Sequence, residues 1–238
     1  MIKETIVILH GWTKNHKYWR PLIKNLERRD FRVIYPVLPG FGKEKMRQAW
    51  SARDYVGWLL KFLKQKQISN FYLVAHSNGG RIALQLVSEH PGRIKKLILI
   101  NSAGIKPTFT FKQGVFWLLA KLGKIGFSFP ALKQFKPLAR RLLYRLARER
   151  DYLEADQVLR QTMLNLIKKD FKKILKKIKT PTLLLWGGRD KTTPLRDGLL
   201  MNSKILQSQF ILFPKASHAL PYQEGAIIAQ EISSFCRS

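Results

Sequence analysis

The chain has 238 residues, 45% of them hydrophobic, which is enough for one large α/β domain with a true core and excludes a disordered tail. Its formal net charge is +29, from 44 Lys and Arg against 15 Asp and Glu, so a diffuse attraction to anionic surfaces is expected. Cys236 is the single cysteine, which excludes an intrachain disulfide, and no apolar run reaches the length of a membrane span. A strand-like stretch begins at residue 5, leaving no room for a secretory leader ahead of the fold, so a cytoplasmic protein is expected.

Taken in chain order, six short, β-rich and almost continuously apolar runs read as buried strands: TIVIL (5–9), FRVIYPV (31–37), FYLVA (71–75), KLILIN (96–101), TLLLW (182–186) and QFILF (209–213). Helical patterns lie between them at about 17–29, 52–67, 79–89 and 195–206, and a last one at about 222–235. Strand and helix in alternation predict an α/β fold with a doubly wound, mostly parallel sheet.

One interval breaks the alternation. Residues 105–179 contain no clear strand and read as several helices, far more chain than one crossover needs. They are expected to form a helical cap inserted between core strands, with the core made of 1–104 and 180–238. At the end of this interval, DFKKILKKIKT (170–180) places Phe171, Ile174, Leu175 and Ile178 on one helical face and lysines on the other. Such a helix could lie on a membrane surface. Packing on the core just before the next strand is the preferred reading.

The third strand run leads into His76-Ser77-Asn78-Gly79-Gly80 and then a helical pattern. A parallel strand ends at the carboxyl edge of its sheet, where open α/β sheets hold ligands. A sharp turn there leaves Ser77 at the apex, and the residues two positions either side must be small. They are Ala75 and Gly79, which is the nucleophile-elbow pattern with Ala in place of the first Gly.

A serine hydroxyl needs a base, and the base needs an acid to orient it. TLLLWGGRDKTTP places Asp190 just past a buried strand, and FILFPKASHALP places His218 just past the final one. His10 and His76 belong to other motifs, and His16 and His90 follow no strand end. Asp197, seven residues beyond Asp190, is the fallback acid, but it falls inside the following helix. Backbone donors for an oxyanion are expected from Asn78, directly after the nucleophile, and from Trp12, which follows His10-Gly11 after the first strand.

With these residues in place, the chain resembles the α/β-hydrolase superfamily, and most of all its small capped esterase, lactonase and carbon–carbon bond hydrolase branch. The resemblance rests on LHGW (9–12), LPGFG (38–42), AHSNGG (75–80), IKTPTLLLWGGRDKTTP (178–194) and KASHALPYQEG (215–225). It implies Ser77 as nucleophile, Asp190 as orienting acid, His218 as general base, and the Trp12 and Asn78 amides as the oxyanion hole. Three positions depart from the usual pattern. Val37 stands where many relatives have Asp, Ala75 replaces Gly, and Ser217 precedes the histidine where Gly is common.

The serine at the elbow argues against the dehalogenases and epoxide hydrolases of this fold, which use aspartate there. No phosphate-cradling loop, dinucleotide fingerprint or metal-spaced cluster is present, so no metal and no organic cofactor are expected. The expected function is a serine carboxylesterase acting on a small-molecule ester, as monomer or dimer, with no specific nucleic acid partner. Gly11 and the cap residues Phe116 and Trp117, in the apolar stretch VFWLLA, are expected to line the acyl pocket. Lactone opening, thioester hydrolysis and carbon–carbon cleavage use the same triad and stay open. A non-catalytic binder of anionic surfaces is the remaining alternative.

Overall fold

A computed structural model of the chain describes residues 3–13, 15–42, 46–106 and 156–238. Its strands are β1 (Thr5–Leu9), β2 (Arg32–Ile34), β3 (Phe71–Ser77), β4 (Ile94–Ser102), β5 (Thr182–Gly187) and β6 (Ser208–Phe213). They form one sheet in the order β2-β1-β3-β4-β5-β6, and every neighbouring pair is parallel. The helices are α1 (Arg20–Glu27), α2 (Ala52–Gln65), α3 (Asn78–Glu89), α4 (Gln157–Lys168), α5 (Leu195–Lys204), α6 (Leu220–Gln223) and α7 (Gly225–Arg237).

Strand alternation divides the core into two layers. Ile6, Ile8, Val74, Ile98, Ile100, Leu183 and Leu185 face one way and pack with Leu22 and Leu26 of α1 and Ile228 and Ile232 of α7. The opposite face is covered from α2, α3 and α5: α3 lies on β3 and β4, α2 on α3, and Gly198 of α5 sits directly on the Trp186 ring. Both faces of the inner strands β1, β3, β5 and most of β4 are buried, which is why these runs are almost continuously apolar, whereas the edge strands β2 and β6 are partly exposed.

Several boundaries differ from the sequence reading. The second strand is three residues long and lies at the sheet edge; Pro36, two residues beyond it, has no N–H to donate to a ladder. The first helix opens as a 3-10 turn, His16–Trp19, with Pro21 at the start of the α-helix that follows. The last helical pattern is two helices, broken at Glu224.

The stretch 170–180 is not an α-helix. It makes turns and a short 3-10 segment, Leu175–Lys177. Phe171 donates its N–H to the Gly104 carbonyl at 3.0 Å, and Asp170 accepts from the Lys172 and Lys106 amides. These bonds tie the stretch to the end of β4, and Pro181 then forces an extended approach to β5. Phe171, Leu175 and Ile178 are nonetheless buried, so the apolar side packs on the core and is not presented to a membrane. Just before it, buried Arg81 of α3 donates to the Leu166 and Lys169 carbonyls at the end of α4.

The chain divides into two compact units, Met1–Lys106 with Gln161–Ser238, and Pro107–Arg160. Of the second unit only residues 156–160 are described, so most of the expected cap lies outside the described residues, as do Phe116 and Trp117. Among the described residues no helix is long and apolar enough to cross a membrane. Phe171 is fully buried. Phe171→Ala is therefore expected to lower stability by about 3–5 kcal/mol in a guanidinium titration; a loss below about 1 kcal/mol would put this residue outside the core.

Candidate active site

The parallel sheet brings all six strand ends to one edge, and the site is built there. β3 is buried along its whole length and ends at Ser77, whose backbone has φ 51° and ψ −122°. That is left-handed space, costly for a residue with a Cβ, and it swings the chain sharply into α3 at Asn78. The turn closes because Gly79 has no side chain: a Cβ there would run into the Leu9 and His10 carbonyls at the end of β1. Ala103 N–H donates to the Ser77 carbonyl at 2.9 Å and fixes the apex from β4.

His218 lies on the loop after β6, with its Nε2 2.9 Å from Ser77 Oγ and its Nδ1 2.7 Å from Asp190 Oδ2. The three groups make one hydrogen-bonded line. Asp190 lies in the loop after β5 and has further donors: the Thr192 and Thr193 amides reach Oδ1 at 2.7 and 2.9 Å, and the Thr193 hydroxyl reaches Oδ2 at 2.7 Å. Burial works against the charge on Asp190, but the bonds from His218 and Thr193 outweigh it and hold its carboxyl below the usual range. Asp197 is in the first turn of α5 beside Arg196, and burial raises its pKa; His218 bonds Asp190 instead.

Gly187 ends β5 against this same loop, where a Cβ would meet the Ala216 and Ser217 carbonyls at 2.6 and 2.7 Å. Ser217, one of the departures from the resembled pattern, uses its hydroxyl: it donates to Gln223 Oε1 at 3.1 Å and accepts from the Ala219 amide at 3.3 Å. Val37 packs by its Cγ1 beside Gly42 and spans the Pro-Gly turn.

Gly11 lies against Ser77: a Cβ on it would be 2.8 Å from Ser77 Cβ and 3.4 Å from Oγ. The chain at Gly11-Trp12 thus passes over the hydroxyl, and the Trp12 ring packs edge-on to Phe41 at 4.8 Å. Asn78 opens α3, where first-turn amides have no intrahelical acceptor. Below them, His10 Nδ1 donates to the Gly11 carbonyl at 2.7 Å, leaving Nε2 to accept the Leu38 amide at 3.0 Å. His16 makes a similar pin, with Nδ1 on Tyr35 Oη and Nε2 on the Phe41 carbonyl.

Three polar residues of this edge were not singled out in the sequence. Thr193 was readable as the third residue after an aspartate, where a local turn brings the two together. Asn101 was readable as the polar end of the KLILI run. His76, set aside as part of the elbow motif, is buried and donates through Nε2 to the His218 carbonyl at 2.9 Å. Among the described residues no group of three His, Cys, Asp or Glu could hold a metal ion.

Burial pushes His10 down to about 4, with His16 adding to the shift and the Gly11 bond opposing it. Burial and then the neighbouring His218 push His76 down to about 3. Both take up protons near pH 6.5 when unfolded and only near 3–4 when folded, so acid favours the unfolded chain. Their contribution is complete above pH 6.5 and is lost as pH falls toward 4. Between these limits urea melts are expected to show stability falling by up to about 2.7 kcal/mol per pH unit, two protons' worth. A stability flat from pH 7 to pH 5 would show that these imidazoles are not held neutral.

The protein-family model described as alpha/beta hydrolase fold matches residues 4–124. A Bacillus subtilis protein described as an AB hydrolase superfamily protein is 28% identical over 98% of this chain and 91% of its own length. Similar to the chain at 26% identity are a pimeloyl-acyl-carrier-protein methyl ester esterase of Pectobacterium carotovorum, over 98% of this chain and 94% of that one, and a 2-hydroxy-6-oxononadienedioate/2-hydroxy-6-oxononatrienedioate hydrolase of Pseudomonas putida, over 98% and 88%. With a parallel sheet, an elbow at the end of its third strand and a family match over half its length, the chain belongs to the α/β-hydrolase fold family.

Proposed function

We propose that the protein is a serine hydrolase of carboxylic esters. The observation that carries this reading is the line from Ser77 Oγ through both nitrogens of His218 to Asp190 Oδ2, at 2.9 and 2.7 Å. The likeness to a methyl ester esterase supports the ester as the bond cleaved.

The chemistry follows from the hydrogen bonds. Asp190 accepts from Nδ1–H of His218 and so fixes the tautomer that leaves Nε2 free to accept the serine proton. As Ser77 Oγ attacks the ester carbonyl, its proton passes to Nε2, and the imidazolium is stabilised by the Asp190 carboxylate, which the bonds from His218 and then Thr193 keep charged. Negative charge gathers on the carbonyl oxygen, to be met by the amides of Asn78 and Trp12. Nε2 then protonates the leaving alcohol. In the second half His218 draws a proton from water as its oxygen attacks the acyl carbon; the bond from that carbon to Ser77 Oγ then breaks, Nε2 returns the proton to Oγ, and the acid is released. No step needs a group from outside the chain except water.

The relative that acts on a 2-hydroxy-6-oxononadienedioate-type substrate is as similar as the esterase, which supports carbon–carbon cleavage as the second reading. Lactone and thioester hydrolysis use the same acyl-enzyme route. A series of activated esters of increasing chain length, run beside lactones and a carbon–carbon hydrolase substrate, separates these activities by kcat/KM.

Ser77→Ala is expected to lower ester turnover on the order of 10⁴- to 10⁶-fold while the protein stays folded. Asp190→Asn favours the wrong imidazole tautomer and is expected to cost on the order of 10⁴-fold, whereas Asp197→Asn should stay within about threefold, below a kcal/mol of barrier. A Ser77→Ala protein keeping a tenth of wild-type turnover, or equal effects at the two aspartates, would overturn the assignment.

A further inference from the structure

His218 sits on a loop, residues 214–219, that has no strand or helix of its own. Its ring nitrogens both take part in the proposed reaction, and the bond to Ser77 must break when the serine becomes acylated. The ring therefore cannot be held in place by those two bonds alone.

The backbone of the loop is held by something else. Three successive carbonyls, of residues 216, 217 and 218, each accept a hydrogen bond from the segment at the end of β5, β4 or β3, and the Ser217 carbonyl also accepts the Leu220 amide at 3.1 Å. Ala216 accepts from the Arg189 amide at 2.9 Å. Ser217 accepts from Asn101 Nδ2 at 2.9 Å, and His218 accepts from His76 Nε2 at 2.9 Å. The last two carbonyls flank the His218 Cα, and both donors are side chains of buried residues.

Each donor also belongs to another part of the machinery. His76 is the residue before Ser77, so its bond ties the base directly to the elbow. Asn101, next to the last residue of β4, accepts the Gly187 amide on Oδ1 at 2.8 Å, and its carbonyl lies 3.0 Å from the Thr193 hydroxyl, whose one proton it shares with Asp190. One asparagine thereby touches the loop of His218, the end of β5 that leads to Asp190, and the threonine that bonds Asp190. Its backbone is in left-handed space, φ 42°, a cost of about 1–3 kcal/mol that persists only where the surroundings impose it.

The choice of histidine at 76 fits the same task. Its ring centroid is 4.9 Å from that of His218. A second cation there would oppose charge on His218 in the transition state. Burial keeps the His76 imidazole neutral, so it supplies a donor without supplying a charge. Trp19 and Tyr222 pack around its ring and keep it from turning away.

We propose that His76 and Asn101 are positioning residues that hold His218 by the carbonyls of its own loop, and through them keep Nε2 aimed at Ser77 after the Ser77 bond is broken. This rests on the reading of Ser77, His218 and Asp190 given above. An activated ester and a fluorophosphonate probe, used on wild type, Ser77→Ala, His76→Phe, His76→Gln and Asn101→Asp, test it. His76→Phe keeps the ring and loses the donor; His76→Gln restores an N–H near the position of Nε2. His76→Phe is expected to lower kcat and the rate of phosphonylation of Ser77 by about 10- to 100-fold, the usual effect of a misplacement near 1 Å. KM should stay within about twofold and the circular dichroism spectrum unchanged, and His76→Gln should recover most of the loss. Asn101→Asp, which keeps the acceptor for Gly187 and loses the amide donor, should fall by at least 10-fold in kcat on the same order of argument. It decides the matter if His76→Phe fails to fold. Wild-type kcat in His76→Phe, or an equal loss in Phe and Gln variants, would overturn the proposal. Ser77→Ala turning over as fast as wild type would instead overturn the triad reading beneath it.

Discussion

Everything at the sheet edge depends on one strained residue. Ser77 is held with positive φ at the junction of β3 and α3, and nothing local to it favours that geometry. The burial of β3, the bond from Ala103 and the seating of Gly79 on the carbonyls ending β1 impose it together. The helix start, the hydroxyl and the passage of Gly11 over it are consequences of the same contact. Were α3 lifted by the width of a methyl group, the hydroxyl would move out of line with His218.

The electrostatics follow from unequal burial and unequal partnering. Three imidazoles, of His10, His76 and His218, lie within a small volume, and two of them cannot hold a proton near neutral pH because burial denies them water. Only His218 faces a carboxylate. Asp190, for its part, remains charged despite its burial because threonine amides, a threonine hydroxyl and His218 all point at it. The neighbouring carboxylate at 2.7 Å is given to His218 alone of the three.

How far the sequence could be read is itself a matter of range. The six strands and a mostly parallel sheet were legible because buried parallel strands are apolar on both sides, a signal within five or six residues. Ser77, Asp190 and His218 were legible as polar residues just past such runs. Less legible were the bonds that join distant segments. Asn101 reaches Gly187 and Ser217, and His76 reaches His218, across separations that no local pattern encodes. The stretch 170–180 shows the opposite failure: its apolar period of three and four was real and its burial was anticipated, but long-range bonds to Gly104 and Lys106 and the approach to Pro181 replaced the helix with turns. The acyl pocket expected from Phe116 and Trp117 depends on side chains far along the chain from the triad, and apolar composition alone does not specify its shape.

The bonds between the end of β4 and the stretch before β5 have a further meaning. Phe171 is joined to Gly104 and Asp170 to Lys106, so the chain leaves the sheet and returns to it at nearly the same point. Whatever lies between these anchors is a closed excursion whose ends are already fixed. The entropy of closing a longer or shorter excursion changes only slowly with its length, by about 0.6 kcal/mol per doubling. The end of the excursion belongs to the same anchorage: the Thr162 hydroxyl accepts the Trp50 amide at 3.0 Å and the Leu166 and Lys169 carbonyls accept Arg81, so any change of length that spares these bonds falls before residue 161.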